Sequence, residues 1–306
     1  MEICNFKNKE GKNITYYKWG ENLNNPKGII QLAHGMSEWA LRYSTFSEEM
    51  VKEGYVIYAN DHSGHGNSSK SVETLGYISK KDDFYTMIDD MKTLNDIIKN
   101  DYEDSKVILL GHSMGSFLSQ RYFEMYGQNL DALILSGSNG RPKYYTKLGL
   151  LIAKVETLMT GGNKRSKVMD KLSFGGFNKA FKNAKTEVDW LTRDEKEVEK
   201  FIEDKFTGFI YPTKFYSSLI SGIWDIHKKE NLKKINLDIP IYIFSGDKDP
   251  VGYFGKGILN LCKVYKNLGV KNITCNLYED GRHEMLNEIN KNEVIKDMIN
   301  WLKNNL

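Results

Sequence analysis

Gly111-His112-Ser113-Met114-Gly115 sets a serine hydroxyl between two glycines, each two residues away. The pentapeptide follows the apolar run Lys106–Leu110 and opens a helix-like stretch, Phe117–Tyr126. At a strand-to-helix junction this pattern makes a turn so tight that the serine takes a strained backbone conformation, and only glycine fits beside it. The strain lifts the hydroxyl clear of the sheet's end, where a base and a carbonyl can both reach it. The chemistry that suits such a group is nucleophilic attack on an acyl carbon, with Ser113 as nucleophile and Gly111 and Gly115 as the glycines of the elbow.

A serine hydroxyl is a poor nucleophile near neutral pH and needs a base, which in turn needs an orienting acid. On sheets that carry a serine in such a turn, the partners follow in the chain order Ser, Asp or Glu, His. Here the strand-like run Ile241–Ser245 leads into Gly246-Asp247-Lys248-Asp249-Pro250, and Ile273–Tyr278 leads into Glu279-Asp280-Gly281-Arg282-His283-Glu284. Both sit just past a strand's carboxyl end, where open α/β sheets collect their functional groups. His283 is the candidate base. Asp249 and Asp247 compete as the acid. Asp249 is preferred, because Pro250 biases its backbone toward an extended conformation that projects the side chain, whereas Asp247 after Gly246 suits bonding to the turn's own amides.

An oxyanion hole requires two backbone amides aimed at one point. Met114, the residue after the nucleophile, supplies one from a helix N-terminus. Met36, in the loop ending the run Ile30-Gln31-Leu32-Ala33-His34-Gly35, is the expected second donor. Only its amide matters, so Gly35 rather than the Met36 side chain is the informative position.

These residues need a scaffold, and the chain's periodicity implies one. Strand-like runs (Ile14–Lys18, Ile29–His34, Tyr55–Asn60, Val107–Leu110, Ala132–Ser136, Ile241–Ser245, Ile273–Tyr278) alternate with helix-period segments (Arg42–Glu53, Phe84–Asn100, Ser113–Tyr126, Lys256–Leu268, Glu293–Leu306). The runs are short and nearly continuously apolar, as for a largely parallel α/β sheet covered on both faces. The alternation stops between about Asn139 and Leu237, where only helix signals appear. Residues 1–138 and 238–306 are therefore expected to form the catalytic domain, and 139–237 a helical cap over the strand ends. Within the cap, Lys147–Met159 carries Leu148, Leu151, Ile152, Val155, Leu158 and Met159 on one stripe, expected to face the catalytic domain. Thr192-Arg193-Asp194-Glu195 has the spacing of a capping box opening a charged helix, and Thr213–His227 carries a second apolar stripe.

At 306 residues, 40% hydrophobic and 27% charged, the composition is that of a globular enzyme. The net charge of +3 is spread among acids, which argues against a nucleic-acid partner. Cys4, Cys262 and Cys275 match no zinc spacing and cannot all pair, so they are expected to be free thiols in a reduced, cytoplasmic setting. The N-terminus shows neither a basic nor an apolar signal region, and no run approaches the ~18 apolar residues of a membrane span. In Asp61-His62-Ser63-Gly64-His65-Gly66 the histidines invite a metal reading, with His34 and His112 expected near the same sheet edge. No carboxylate or cysteine spacing completes a shell, so these residues are expected to brace loops, with Asp61 capping a turn.

Taken together, His34-Gly35-Met36 with Arg42-Tyr43, Asn60-Asp61-His62-Ser63-Gly64-His65-Gly66-Asn67-Ser68, the elbow, Gly246–Gly252, Arg282-His283-Glu284 and the cap run Asp189-Trp190-Leu191-Thr192-Arg193-Asp194 resemble an α/β-hydrolase of the monoacylglycerol lipase and lysophospholipase group. That group shares its family with serine aminopeptidases. The resemblance implies Ser113, Asp249 and His283 as the triad, Met36 and Met114 as the oxyanion amides, no cofactor, and a small ester or single-chain lipid as substrate. Transient contact with a membrane or micelle through the Lys147–Met159 helix is a further expectation. Two alternatives stay open. One is a proline iminopeptidase-like aminopeptidase, which would need acids from the Arg193–Asp204 segment over the pocket. The other is a binding protein without catalysis.

Overall fold

Alternate residues of the central strands point to two different cores, which is why the strands read as continuous apolar runs. The computed structural model describes Met1–Leu306 in full. Its eight strands are β1 (Glu2–Lys7), β2 (Asn13–Trp19), β3 (Gly28–Ala33), β4 (Tyr55–Asn60), β5 (Val107–His112), β6 (Ala132–Ser136), β7 (Ile241–Gly246) and β8 (Ile273–Tyr278), in one sheet of order β1-β2-β4-β3-β5-β6-β7-β8. β1 and β2 form an antiparallel hairpin, β2 pairs antiparallel with β4, and every pairing from β4 to β8 is parallel.

The helices are α1 (Ser44–Lys52), α2 (Asp83–Asp101), α3 (Met114–Tyr126), α4 (Thr146–Thr160), α5 (Lys167–Phe174), α6 (Glu195–Glu203), α7 (Thr213–Ile226), α8 (Lys229–Leu232), α9 (Lys256–Leu268) and α10 (Lys291–Asn305). On one face of the sheet, Ile29, Val107, Leu109, Leu133 and Ile243 pack with Met91, Leu94, Leu118 and Leu261 of α2, α3 and α9. On the other, Ile30, Ile108, Leu110, Ile134 and Phe244 pack with Phe46 and Met50 of α1 and Val294 and Met298 of α10. Period-two burial on both faces is what a parallel sheet between helical layers requires. The fold is that of an α/β-hydrolase.

β1 was absent from the expected strands. It is an edge strand whose residues are exposed or half-exposed, so it carries no apolar run. Three other expectations change. Cys262 on α9 and Cys275 on β8 are joined in a disulfide, because the helix packs beside the strand and brings the Cα atoms within 6.6 Å. Only Cys4 is a free thiol, and the bridge removes the support that three free thiols lent to a reduced, cytoplasmic setting. The Lys147–Met159 stripe does not face the catalytic domain. Leu148, Leu151, Val155, Leu158 and Met159 point outward, the last two 86% and 80% exposed. α4 instead docks on α7 through its small-residue side, where Ala153 is buried and Ile220 lies 4.0 Å from where a Gly149 Cβ would be. The short side chains let the backbones approach, leaving the larger apolar groups outside. Finally, Asp194, not Thr192, caps α6 by accepting the Lys196 amide, while the Thr192 hydroxyl donates to the Asn287 carbonyl.

No helix is long and apolar enough to cross a membrane. The bridge closes 13 residues of sequence, a loop worth about 3 kcal/mol in the chain-entropy account. A thiol titration of the denatured, unreduced chain is therefore expected to count one thiol, from Cys4. Three would show that α9 and β8 are not bridged.

Candidate active site

The sheet register brings the chemistry-bearing residues to one end. Ala33 pairs with Gly111, His112 with Ser136 and Gly246 with Tyr278, so the carboxyl ends of β3, β5, β6, β7 and β8 finish almost level. Ser113 follows β5 with φ 51° and ψ −117°, in the left-handed half of the map that non-glycine residues avoid. Its strain is enforced by close packing. A Cβ on Gly115 would run into the Ala33 carbonyl, and one on Gly111 would lie 2.5 Å from the Gly115 oxygen. The Ser113 amide donates to the Ser136 carbonyl at 3.0 Å, which pins the turn to β6.

His283 is buried beside Asp249, with Nδ1 3.0 Å from Asp249 Oδ1. Asp249 also accepts the Val251 amide at 2.8 Å and the Ser245 hydroxyl at 2.7 Å, so every contact it makes favours the carboxylate. Burial pushes the Asp249 carboxyl up, but the His283 charge and these bonds outweigh it and hold the group below its ordinary value. Burial likewise pushes His283 down, and Asp249, with Glu284 and Glu38 behind, reverses that and raises it. Asp247 makes no contact with His283 and pairs with Lys248 at 3.0 Å. Of the two aspartates, only Asp249 bonds to His283.

Ser113 and His283 open onto the same cavity of about 550 Å³, and no hydrogen bond joins them. Met36 lines the cavity, and the Met114 amide begins α3 beneath it. Neither amide donates to any other group of the protein. Gly35 is packed so tightly that a Cβ would fall 2.5 Å from Glu38 Oε1 and 3.2 Å from Ser113 Cβ.

The histidines near Asp61 are absorbed by backbone bonds. His34 Nδ1 donates to the Gly35 carbonyl at 2.8 Å, and its Nε2 accepts the His62 amide at 3.0 Å. Burial lowers His62 to about 3 and His65 to about 4, keeping both rings neutral. Asp61 accepts the Ala40 and Asn67 amides, so it does cap a turn.

The segment between β6 and β7 roofs the cavity with Phe174, Val188, Trp190, Leu191, Phe201 and Phe209. It is tied to the loops that carry Met36 and His283. Ser37 donates to the Tyr211 hydroxyl and the Phe209 carbonyl, each at 2.8 Å, and the Glu284 amide donates to the Leu191 carbonyl at 2.7 Å. Trp190 lies 5.1 Å from the His283 ring. Of the Arg193–Asp204 segment only Phe201 reaches the cavity. Of its acids, Glu195 pairs with Lys185, Glu197 with Lys200, and Asp204 accepts from the Trp39 indole.

Sequence reasoning assigned no role to Glu38, Arg42 or Glu284, which form a buried cluster at the cavity floor. Arg42 and Glu284 stood within motifs already noted, but Glu38 carried no signal beyond lying three residues after Gly35.

The family profile for serine aminopeptidases, S33, matches residues 24–290. A monoacylglycerol lipase of Mycolicibacterium smegmatis is 26% identical over 296 residues, covering 97% of this chain and 95% of its own. A monoglyceride lipase homolog of Monkeypox virus is 22% identical, covering 94% of each chain. Among solved structures, a thermostable carboxyl esterase from Bacillus coagulans, in complex with glycerol, superposes with a TM-score of 0.91 at 27% identity, covering 99% of this chain and 98% of that one. With sheet, elbow and comparisons in agreement, the chain belongs to the serine aminopeptidase S33 family of α/β-hydrolases and is monoacylglycerol lipase-like.

Proposed function

We propose that the protein is a serine ester hydrolase that works through an acyl-enzyme on Ser113 and cleaves single-chain lipids, as a monoacylglycerol lipase or lysophospholipase. The observation that carries this reading is the aromatic and aliphatic roof, Phe174, Val188, Trp190, Leu191, Phe201 and Phe209, set over Ser113 and His283 in one cavity. Such a wall suits an acyl chain, and a cavity of about 550 Å³ has room for one chain and a small head group. In this mechanism Ser113 attacks the ester carbonyl as His283 takes its proton. The Met36 and Met114 amides hold the oxyanion. His283 then protonates the leaving alcohol and activates the water that cleaves the acyl-enzyme.

The polar part of the lining refines the head group. Glu38, Asp170, Glu187 and Glu284 face the cavity against one lysine, Lys171. Even with Glu38 and Glu284 sharing Arg42, this excess of carboxylates disfavours an anionic head group, and an uncharged one, as in a monoacylglycerol, escapes that repulsion. No acid of the Arg193–Asp204 segment reaches the cavity, so an ammonium site for the aminopeptidase alternative would have to come from Asp170 and Glu187 instead. The outward stripe of α4, with Tyr144 82% exposed just before it, supports contact with the micelle or membrane from which such a substrate is drawn.

Hydrolysis of p-nitrophenyl esters from C2 to C16, alongside 1-monoacylglycerol, lysophosphatidylcholine and aminoacyl arylamides, tests the reading. Turnover is expected to rise toward medium or long chains, to favour monoacylglycerol, and to fall at least ~10³-fold in Ser113→Ala. Leu158→Ser with Met159→Ser is expected to slow the micellar substrates and spare the short soluble esters. Turnover of arylamides alone would contradict the lipid assignment. No Ser113-dependent turnover would leave the binding-protein alternative.

The pH dependence has a definite sign. His283 acts as base only when neutral, and its neighbours raise its pKa above the ordinary value of 6.5. The acid limb of kcat/KM is therefore expected above pH 6.5, with activity lost as pH falls through it. A limb below pH 6 would mean that burial, not Asp249, dominates.

A further inference from the structure

Arg42, Tyr43 and Glu284 stand in the sequence motifs noted above, yet acyl transfer itself uses none of the three. The fold joins them across the cavity floor. Arg42 donates from Nη1 and Nη2 to the two oxygens of Glu284, each at 2.7 Å, and from Nη1 to Glu38 Oε2 at 2.7 Å. Glu38 Oε1 accepts the Gly35 amide at 2.5 Å and the Tyr43 hydroxyl at 2.9 Å. Glu284 Oε2 accepts from Asn287 at 3.0 Å. The three charged side chains are 8% exposed or less. The guanidinium also lies 4.8 Å from the centre of the Phe201 ring in the roof.

The cluster thus spans every part that attack requires. Glu38 holds Gly35, the residue before the Met36 amide, and Glu284 is covalently next to His283. Arg42 fixes the distance between them, and its fork on Glu284 fixes orientation as well. Buried ionic groups are weak evidence for stability, because an apolar cluster of the same volume often serves as well or better. What ions supply here, and hydrocarbon could not, is geometry and charge. With both carboxylates ionised, one cation between them leaves a net negative charge beside the imidazole; against burial, Arg42 holds Glu284 down to about 2, while burial raises Glu38 above its ordinary range against the pull of Arg42.

Resting on the reading of Ser113, Asp249 and His283 given above, we propose that Glu38, Arg42 and Glu284 are a positioning clamp. The clamp holds the oxyanion loop and the His283 loop in register, and its excess negative charge joins Asp249 in favouring the imidazolium formed during attack. The groups that face His283 are Asp249 from the loop after β7, His112 from β5, Glu284 from its own loop and Glu38 from the loop after β3, with Arg42 bonded to the last two carboxylates. Trp190 covers it from the roof without charge. Burial lowers His112 to about 3, so that ring is neutral and adds no opposing charge. Burial acts on His283 to lower its pKa, Asp249 opposes this most strongly, and Glu284 and Glu38 add to Asp249.

The test separates geometry from charge. Arg42→Lys keeps the charge but cannot make the fork together with the Glu38 bond. Glu284→Gln keeps the shape but removes the excess negative charge. With a soluble p-nitrophenyl ester, Arg42→Lys is expected to lower kcat tenfold or more, with KM changed less than about threefold and the acid limb of kcat/KM unmoved. Glu284→Gln is expected to move that limb to lower pH. Thermal melting of each variant shows that it folds, and Glu38→Gln, which keeps an acceptor for the Gly35 amide, carries the test if Arg42→Lys does not. Folded variants with wild-type kcat and wild-type pH profiles would overturn the clamp while Ser113-dependent turnover in the wild type left the parent reading standing. Loss of activity in step with loss of melting temperature, with an unmoved limb in Glu284→Gln, would also overturn it. Absence of Ser113-dependent turnover in the wild type would defeat the parent reading instead.

Discussion

The constraint on which the site depends is the approach of α3 to β3, where Gly115 presses on the Ala33 carbonyl with no room for a Cβ. Everything at the site depends on it. Because α3 starts so near β3, the chain must reverse within one residue after β5, and Ser113 takes a positive φ to allow it. The same approach brings the start of α3, with the Met114 amide, beside the loop that carries Gly35 and Met36. The strain is held by surroundings that over-determine it: the sheet register on both sides, the Ser113 amide bonded to Ser136, and helices buried against each face of the sheet. A rigid scaffold of this kind can hold a high-energy backbone conformation where a flexible loop would relax.

Around that fixed point the electrostatics run in one direction. Asp249 is buried but fully bonded, so it stays ionised, and it turns the buried imidazole of His283 toward its charged form. The other histidines of the region, His62, His65 and His112, have no carboxylate bonded to them, and burial holds them neutral. Identical side chains therefore divide by environment into one that can exchange a proton near neutral pH and several that serve as spacers and backbone acceptors. The roof contributes in a different way. Its aromatic groups give the cavity beside the serine an apolar wall, and its hydrogen bonds to Ser37 and Glu284 fix it to the loops that carry Met36 and His283.

Much of this was legible in the sequence, because the parts that position the site are also the parts with strong local signals. Strands buried on both faces read as apolar runs, the elbow requires glycines at set positions, and chain order separates acid from base. The preference for Asp249 over Asp247 came from a local effect of Pro250, and Asp249 is the one that bonds to His283. What stayed hidden depends on packing between distant segments. β1 gave no apolar run because it lies at an exposed edge. The Cys262–Cys275 bridge needed the relative placement of α9 and β8. The α4 stripe pointed outward against expectation because small residues on the opposite side set how that helix docks, and a stripe alone does not say which face is covered. Glu38 meets Arg42 and Glu284 only through the tertiary fold.

The central claim is that Ser113 is a nucleophile activated by His283. Its most direct measurement is mass spectrometry of the chain after reaction with a fluorophosphonate. The account predicts one phosphonyl adduct, located on the peptide containing Ser113, with labelling slowed at least ~10²-fold in His283→Ala. Absence of an adduct, an adduct on another residue, or labelling indifferent to His283 would contradict it.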